Sequence, residues 1–404
     1  MKRKLLASAI LTSVALPGQG VAEMSTEERL TQMEQRMRYM EQRLVAQDRT
    51  IQDKDKVIAQ LQRGREAQRE SWTKGITVGG SVEVEAAYTD SDGFSGSEAG
   101  DLNVSTAELG IEAAINDWTT ANLVLLWEEE DGSGNDLTVD QATITIANKE
   151  SSPFYLVAGH LAVPFGRYET LMVSDPFTLE LGETKETVAL VGLETGGLFA
   201  SAYGFNGDLD DGTDNVVDNF GADLGYAWEG EGRSVYTSLS YINDIGDSDG
   251  ISDVISGNLP VGVNYERKVP GYAVHALVTI GKVSLIGEYV TATKGFDSAN
   301  EIAFNGGDAK PSAWNLEAGY TFDTAGHETT VAVGYQETRE ALGLGLPKQR
   351  TSATVSLEVM DNTTFSLEWA HDKDYGSGDA DAVSGAVGTG NESNTLTGQL
   401  AVGF

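Results

Sequence analysis

Two-residue alternation of apolar and polar side chains recurs from about residue 72 to the end of the sequence, and it restricts the fold more than any other feature. In the stretch TSATVSLEVM, Ala353, Val355, Leu357 and Val359 alternate with polar neighbours. Successive side chains of a β-strand point to opposite faces, so this pattern predicts strands with one apolar and one polar face. The region is therefore predicted to be all-β.

The lengths of the connections indicate how these strands are arranged. Short turns are predicted at 116–117, 194–196, 281 and 361–363, and long loops rich in Gly, Asp and Ser at 90–101, 207–217, 244–270, 294–311 and 372–393. An even number of strands, with short turns at one end and long loops at the other, is typical of a transmembrane antiparallel β-barrel of the bacterial outer membrane. About 16 strands are predicted over residues 72–404; counts of 14 or 18 and a soluble sandwich are the alternatives. The predicted strands are 75–89, 102–115, 118–130, 137–148, 152–162, 187–193, 196–206, 218–229, 233–243, 271–280, 282–293, 312–322, 328–338, 349–359, 363–371 and 394–404.

Two further features suit a membrane barrel. Aromatic residues lie near predicted strand ends, Tyr88 and Trp118 among them, as interfacial girdles require. Phe404 closes the alternating segment NTLTGQLAVGF, and a terminal Phe of this kind is characteristic of bacterial outer-membrane barrels. We therefore expect contact with outer-membrane lipid and recognition by the barrel-assembly machinery through Phe404.

The sequence before the barrel has two parts. Residues 1–22 have a basic start, an apolar run from Leu5 to Leu16 and small residues before a predicted cleavage after Ala22, as in a secretory signal peptide. The apolar run is too short to span a bilayer as a helix. The chain contains no cysteine, so disulfides cannot stabilise it.

Residues 23–71 show a heptad pattern that predicts a periplasmic α-helical coiled coil. Seam positions, apolar except for Gln47 and Lys54, step by three and four without a break, which predicts self-association. A homotrimer is expected, although two chains are also compatible. A single amphipathic helix is the alternative. The seam positions are Leu30, Met33, Met37, Met40, Leu44, Gln47, Ile51, Lys54, Ile58 and Leu61.

The net charge of the chain and its sequence motifs limit the classes of function that can be expected. The chain has 62 acidic and 27 basic residues, and almost all of the acidic excess follows residue 72. This excess makes nucleic acid an unlikely partner. The four histidines are not spaced as a metal pair, and the acidic runs 208–215 and 247–250 lack the spacing of a calcium loop. We therefore expect no catalytic residues, no metal and no cofactor, and hence a protein that is not an enzyme.

A barrel of this size is wide enough to hold a water-filled channel, and its polar face would line the pore. Inward glutamates would set a negative potential that favours cations and neutral solutes. The predicted pore-lining glutamates are Glu83, Glu85, Glu108, Glu112, Glu288, Glu317, Glu358 and Glu368.

The segment PFGRYETLMVSDPFTLELGETKE, residues 164–186, follows the fifth predicted strand. Its apolar side chains suit packing against a wall, so it is predicted to fold back into the barrel as a pore constriction. Arg167 and Lys185 would hold an anionic group there. An ordinary surface loop or a misread pair of strands is the alternative. The predicted constriction residues are Arg167, Glu169, Asp175, Glu180, Glu183, Lys185 and Glu186.

The same segment, with the preceding AGHLAV, resembles the LbtU-like siderophore porins, a family of bacterial outer-membrane proteins. The resemblance implies a signal peptide, an N-terminal coiled coil, a barrel of roughly 16 strands and passage of a ferric siderophore without a plug domain. Length agrees, because roughly 330 residues cannot hold a 22-strand barrel and a plug. Many siderophores are anionic, however, so the acidic barrel requires clustered basic residues, a neutral or cationic cargo, or acids placed on outer loops.

The sequence thus predicts a plug-independent outer-membrane porin for a ferric siderophore or a similar small hydrophilic solute. Two alternatives remain. The first is a general, cation-preferring diffusion porin, and the second is a structural tether in which the coiled coil holds the outer membrane.

Overall fold

The computed structural model describes residues 75–91, 99–129, 137–209, 216–265 and 267–404. The predicted signal peptide and coiled coil lie outside the described residues. Within them, sixteen antiparallel strands close into one barrel, and a two-stranded hairpin lies in a connection. The prediction of an all-β, sixteen-stranded antiparallel barrel is confirmed.

The elements follow one another around the barrel in chain order. Strands β12 and β13 form the separate hairpin. The strands are β1 (Ile76–Ser91), β2 (Ala99–Ala114), β3 (Thr119–Trp127), β4 (Thr138–Ala147), β5 (Phe154–Ala162), β6 (Lys185–Thr195), β7 (Leu198–Phe205), β8 (Asn219–Gly230), β9 (Arg233–Ile242), β10 (Gly271–Ile280), β11 (Val283–Ala292), β12 (Ala303–Phe304), β13 (Gly307–Asp308), β14 (Ser312–Thr324), β15 (His327–Arg339), β16 (Gln349–Met360), β17 (Thr363–Lys373) and β18 (Glu392–Gly403). The helices are α1 (Phe177–Gly182) and α2 (Asp249–Asn258), with 3-10 turns at Ile245–Asp247 and Leu342–Leu344.

The last strand closes the barrel against the first. Strand β18 pairs with β1 in an antiparallel register that places Val84 opposite Leu400. Beyond this register, the backbone N–H groups of Gly80 and Phe404 each donate to the other residue's carbonyl oxygen at 3.0 Å. Closure leaves no free strand edge, which is the condition for a sheet to span a bilayer.

At one end of the barrel, turns of two residues join five of the hairpins, and the connections β2–β3 and β4–β5 have four and six residues. Gly232, Gly281 and Asn362 adopt positive φ angles of 63°, 61° and 57° in these turns. Left-handed turn residues match the twist of paired strands, which is why Gly and Asn occupy them. The longer connections all lie at the other end, so the predicted alternation of loop lengths is also present.

The outer face of the barrel is apolar. Val78 and Val333, for example, are 57% and 59% exposed on it. At the long-loop end, Tyr289 and Trp314 pack with ring centroids 4.2 Å apart, and Tyr241 and Tyr272 pack at 5.2 Å. An apolar band edged by aromatic rings is the surface expected to contact lipid.

No helix within the described residues is both long enough and apolar enough to cross a membrane.

The inside of the barrel is divided into an apolar part and a polar part. In the apolar part, buried residues of five long connections pack against the inner faces of β6, β7, β9–β11 and β14. The inner faces of β1–β4 and β18 instead carry polar side chains such as Glu83, Asn122 and Gln399. Filled space therefore lies mainly along one side of the lumen. Buried members of the packed part include Phe165, Phe177, Leu181, Val188, Phe205, Ile242, Ile245, Ile251, Val290 and Phe296.

Candidate functional site

The connection between β5 and β6, residues 163–184, folds into the barrel and is called the inner loop here. Its ends are joined where the Val163 N–H donates to the Thr184 carbonyl at 2.9 Å. Phe165 and Leu181 are completely buried, and Phe177 is nearly so. Burial of these apolar side chains stabilises the conformation in which the loop folds into the barrel. The inner loop contains α1, which begins after Pro176.

Three glutamates on the inner face of the barrel hold the backbone of the inner loop. We call Glu288, Glu317 and Glu368, on β11, β14 and β17, the wall glutamates. Glu317 and Glu368 accept hydrogen bonds from the middle of the inner loop, and Glu288 accepts from residues on either side of that middle part. A carboxylate that accepts backbone N–H bonds forms charge-assisted bonds, which are stronger than neutral ones. The inner loop is therefore fixed along its length by the wall it crosses.

Glu288 holds the two ends of the inner loop together. It accepts from the Arg167 N–H at 2.8 Å, from the Tyr168 N–H at 3.2 Å and from the Thr178 hydroxyl at 2.7 Å. The carboxylate is almost completely buried. A buried charge of this kind needs several donors, and the inner loop supplies them.

Glu317 and Glu368 hold the middle of the inner loop. Glu317 accepts from the Thr170 hydroxyl at 2.7 Å and from the Leu171 N–H at 2.6 Å. Glu368 accepts from the Ser174 hydroxyl at 2.6 Å and also from the Val173 N–H. Small hydroxyl residues beside these backbone groups thus double the contact with each carboxylate.

Two further residues hold α1 near β15 and β16. The Gln336 side-chain oxygen, which is buried on β15, accepts from the Phe177 N–H at 2.8 Å. The Arg350 guanidinium on β16 lies 4.7 Å from the Phe177 ring centroid. Arg350 is itself fixed by Asp372 through two bonds of 2.7 and 2.9 Å.

A second connection covers the inner loop from the long-loop end. The Asp249 N–H, at the start of α2, donates to the Glu183 carbonyl at 2.8 Å, and Asp249 in turn accepts from the Lys185 N–H at 3.1 Å. Burial raises the pKa of Asp249 to about 6, although the Lys185 N–H opposes the rise.

The basic side chains of the predicted constriction are paired with carboxylates. Arg167 contacts Glu169 at 3.3 Å. Lys185 contacts Asp140 at 2.9 Å and Glu183 at 3.5 Å. These pairings reduce the ability of Arg167 and Lys185 to attract an anion.

Acidic side chains border the open part of the lumen. Asp175 and Glu180, on the inner loop, reach solvent. Partial burial within the barrel raises the pKa of Asp175, and Glu85 on β1 adds to the rise while Arg350 opposes it. Partial burial also raises the pKa of Glu180, and Asp175 adds to that effect. The inner loop and β1 therefore present like charges close enough to repel each other.

The predicted pore-lining glutamates differ in how far their side chains are buried. Glu83 and Glu85 lie on the inner face of β1, where the Gln399 side-chain amide donates to both at 3.0 and 2.9 Å. Glu108 is half-buried on β2. Glu112 and Glu358 are exposed near the short-turn end. Glu317 is only 5% exposed and bonds the inner loop.

The predicted constriction residues are also spread over several environments. Arg167 is exposed and lies over the Tyr236 ring at 4.5 Å from its centroid. Glu169 approaches the buried His275 on β10, with Oε2 3.1 Å from Nε2. Glu183 and Lys185 lie together where the inner loop joins β6. Glu186 is buried on β6.

Several residues of the site were not predicted from the sequence, chiefly Gln336, Arg350, Asp140 and His275. The strand phase places Gln336 and Arg350 on the inner face, so their orientation was readable. Their partners were not, because the conformation of a long connection has no simple periodicity.

Comparisons with known proteins give relatives described as UPF0422 proteins and structures of outer-membrane channels. The chain is 30% identical over 306 residues to a UPF0422 protein of Coxiella burnetii, covering 74% of this chain and 64% of that protein. It is 30% identical over 357 residues to a UPF0422 protein of Legionella pneumophila strain Paris, covering 81% of this chain and 66% of that protein. The chain thus spans just under two thirds of the length of these curated relatives. No family model matches it.

Solved structures with a similar fold are porins and channels. The outer membrane channel DcaP of Acinetobacter baumannii has a TM-score of 0.54 at 12% identity, covering 81% of this chain and 97% of that one. OprB of Pseudomonas putida has a TM-score of 0.56 at 11% identity, covering 82% and 94%. OmpF of Salmonella typhi, in complex with daunomycin, has a TM-score of 0.55 at 14% identity, covering 81% and 97%. At these identities the similarity shows a shared porin-like barrel fold.

Proposed function

We propose that this protein is a channel of the bacterial outer membrane, not an enzyme, through which small hydrophilic solutes diffuse with a preference for cations. The observation that carries the proposal is the inner loop fixed across the lumen by Glu288, Glu317 and Glu368. Such a loop narrows a wide barrel without closing it, and it thereby sets a size limit for solutes.

Cation preference is supported by the distribution of charge. Glu83, Glu85 and Glu108 face the open part of the lumen opposite Asp175 and Glu180, whereas Arg167 and Lys185 each have a carboxylate partner. A lumen lined by one sign of charge concentrates ions of the opposite sign.

Purified full-length protein in a planar bilayer tests this function. In a salt gradient, the proposal predicts single-channel steps and a reversal potential on the side of cations. Anion preference, or a membrane without steps at any protein concentration, would refute it.

A ferric siderophore is the narrower cargo that we propose, in line with the resemblance of residues 164–186 to siderophore porins. The paired state of Arg167 and Lys185 favours a neutral or cationic complex over a polycarboxylate anion. Adding ferric complexes of different charge to the bilayer should block the current only for a neutral or cationic one. Current unaffected by every complex would leave a general diffusion porin.

We further propose that residues 23–71 assemble the protein as a homotrimer in the periplasm, since the unbroken heptads of that segment favour packing against partner helices. Sedimentation in mild detergent should give a mass of three chains, which falls to one on deletion of residues 23–70. A tether role for this segment would instead appear as a defect in envelope attachment while the deleted protein still conducts. Recognition of Phe404 by the barrel-assembly machinery predicts slower membrane insertion of Phe404→Ala.

A further inference from the structure

His275 differs from the other three histidines in where it points. It lies on the inner face of β10 and is completely buried. His160 and His371 occupy the outward phase of β5 and β17, and His327 is exposed at the start of β15. Burial of a histidine side chain is destabilising unless its ring nitrogens have polar or charged partners.

Both ring nitrogens of His275 face carboxylates. Nε2 is 3.1 Å from Glu169 Oε2 on the inner loop, and Nδ1 is 3.5 Å from Glu288 Oε1 on β11. Glu288 also accepts the Arg167 and Tyr168 N–H groups, as described above. The histidine therefore lies between the inner loop and the main anchor of that loop.

The remaining neighbours neither supply nor remove a proton at ordinary pH. Tyr236 on β9 meets the imidazole edge-on, with centroids 5.9 Å apart. Ser238 lies opposite His275 in the β9–β10 register. Arg167 lies on the Tyr236 ring and contacts Glu169. The charged groups around His275 are thus the two carboxylates and, beyond the tyrosine, one guanidinium.

Neither ring nitrogen meets the angular requirements of a hydrogen bond to these carboxylates, so the two contacts are ion-pair contacts, and they favour one charge state of the ring. A neutral imidazole carries one N–H, so its second nitrogen would direct a lone pair at a carboxylate. An imidazolium carries an N–H on each nitrogen and places a positive charge between two negative ones. In agreement, contact with His275 lowers the pKa of Glu169 and outweighs the opposing effect of burial, with Arg167 adding to the lowering.

We propose that His275 is a positioning residue for the inner loop, which it holds as an imidazolium between Glu169 and Glu288 and releases when the ring loses its proton. The holding contribution is complete while the ring is protonated and is lost as the pH rises through the titration of His275. At strongly acidic pH, protonation of the carboxylates removes the same contacts, so the inner loop is held best between these limits.

Hydrogen exchange of the Arg167 and Tyr168 amides in the full-length protein tests this directly, without requiring that the protein conducts. Protection factors, corrected for intrinsic chemistry, should fall by roughly tenfold or more as the pH rises from about 5 to about 10. His275→Gln should show low protection that is independent of pH. The matched control His371→Gln, at an outward position, should keep the wild-type profile.

Glu169→Gln provides a second variant, because Glu169 lies on the inner loop and its substitution spares the barrel wall. It should reduce the size of the pH-dependent change while leaving barrel assembly intact. A flat wild-type profile, or a full wild-type change in His275→Gln, would overturn the proposal.

Single-channel conductance gives the functional readout, and only this readout depends on the proposed channel function. Wild-type conductance should increase with pH, and His275→Gln should show the high value throughout. Absence of any current would refute the channel function, whereas the exchange profile would still decide the role of His275.

Discussion

At the residue scale, inward-facing glutamates of this barrel have two different roles. Glu83 and Glu85 remain in contact with the open lumen, whereas Glu288 is buried and bonded to the inner loop. The difference arises from the donors that each meets, since a buried carboxylate persists only where several N–H or O–H groups compensate its desolvation.

Replacing Glu288 should release the inner loop. Glu288→Ala removes acceptors of the Arg167, Tyr168 and Thr178 donors, and bonds to a charged group contribute roughly 1.5–3 kcal/mol each. We expect larger and noisier single-channel currents, with Glu288→Gln intermediate because an amide oxygen still accepts. Glu231→Ala, at an exposed short turn, is the control and should retain wild-type currents. Equal conductance in Glu288→Ala and wild type would contradict the anchoring role.

Replacing Arg350 by lysine should weaken the contacts that hold Phe177 and α1 near β16. Its guanidinium bonds Asp372 twice and also lies on the Phe177 ring, and an ammonium cannot reproduce both contacts. Arg350→Lys should therefore lower the protection of the Phe177 amide from hydrogen exchange. Arg339→Lys, at an exposed position outside the inner loop, serves as the control. Unchanged protection at Phe177 in Arg350→Lys would show that Gln336 alone suffices.

The two-residue alternation of the sequence predicted which face of the barrel each glutamate occupies, but not how deeply each one is buried. Glu317 and Glu85 share the same alternating pattern, yet one bonds the inner loop and the other lines open lumen. The difference depends on where residues 163–184 cross the barrel, which no local pattern encodes. His275 was missed for the same reason, because its significance comes from Glu169 on a distant segment.

At the element scale, the inner loop is covered by another connection that itself contains buried carboxylates. Asp244 accepts from the Gly246 and Val269 N–H groups at 3.0 Å and from the Tyr265 hydroxyl at 2.8 Å. Burial raises the pKa of Asp244 to about 7, with Asp247 adding to the rise. The surroundings of Asp244 therefore disfavour its charged form, even though the carboxyl group accepts these three hydrogen bonds.

The connection 243–270 should therefore weaken as the pH rises. The folded form binds a proton more tightly than the unfolded form, so its stability falls between about pH 4 and about pH 7 and is constant above. Hydrogen exchange at the Val269 amide should show this loss, by roughly tenfold or more. Asp244→Asn should remove the pH dependence at Val269 while leaving the change at Arg167 and Tyr168. Persistence of the Val269 profile in Asp244→Asn would assign it to another group.

The existence of the inner loop could be predicted from its composition, but its internal structure could not. Apolar residues such as Phe165 and Leu181 indicated packing against a wall. The six-residue helix α1 was not predicted, since it is too short to show helical periodicity and is held by Gln336 and Arg350 from other strands.

At the scale of the whole molecule, the barrel was predictable because each strand carries its own signal. Alternation fixes which side of each strand forms the apolar outer face, and turn residues such as Gly232 and Asn362 fix where each hairpin reverses. The unequal filling of the interior was not predictable, because it results from several connections packing together.

The acidic lumen should determine ion selectivity. Changing Glu83, Glu85 and Glu108 together to Gln should move the reversal potential in a salt gradient towards zero, because the lumen loses its excess of negative charge. Glu231→Gln removes an exposed charge at a short turn and should leave the reversal potential unchanged. Equal selectivity in the triple variant and wild type would place the selectivity determinant elsewhere.

The most direct test of the account is the single-channel conductance of a protein whose residues 167–183 are replaced by a short Gly-Ser linker. If the inner loop narrows the pore, the variant should conduct more than wild type and admit larger solutes, while still preferring cations. Conductance equal to that of wild type would contradict the account, because the inner loop would then not limit the channel.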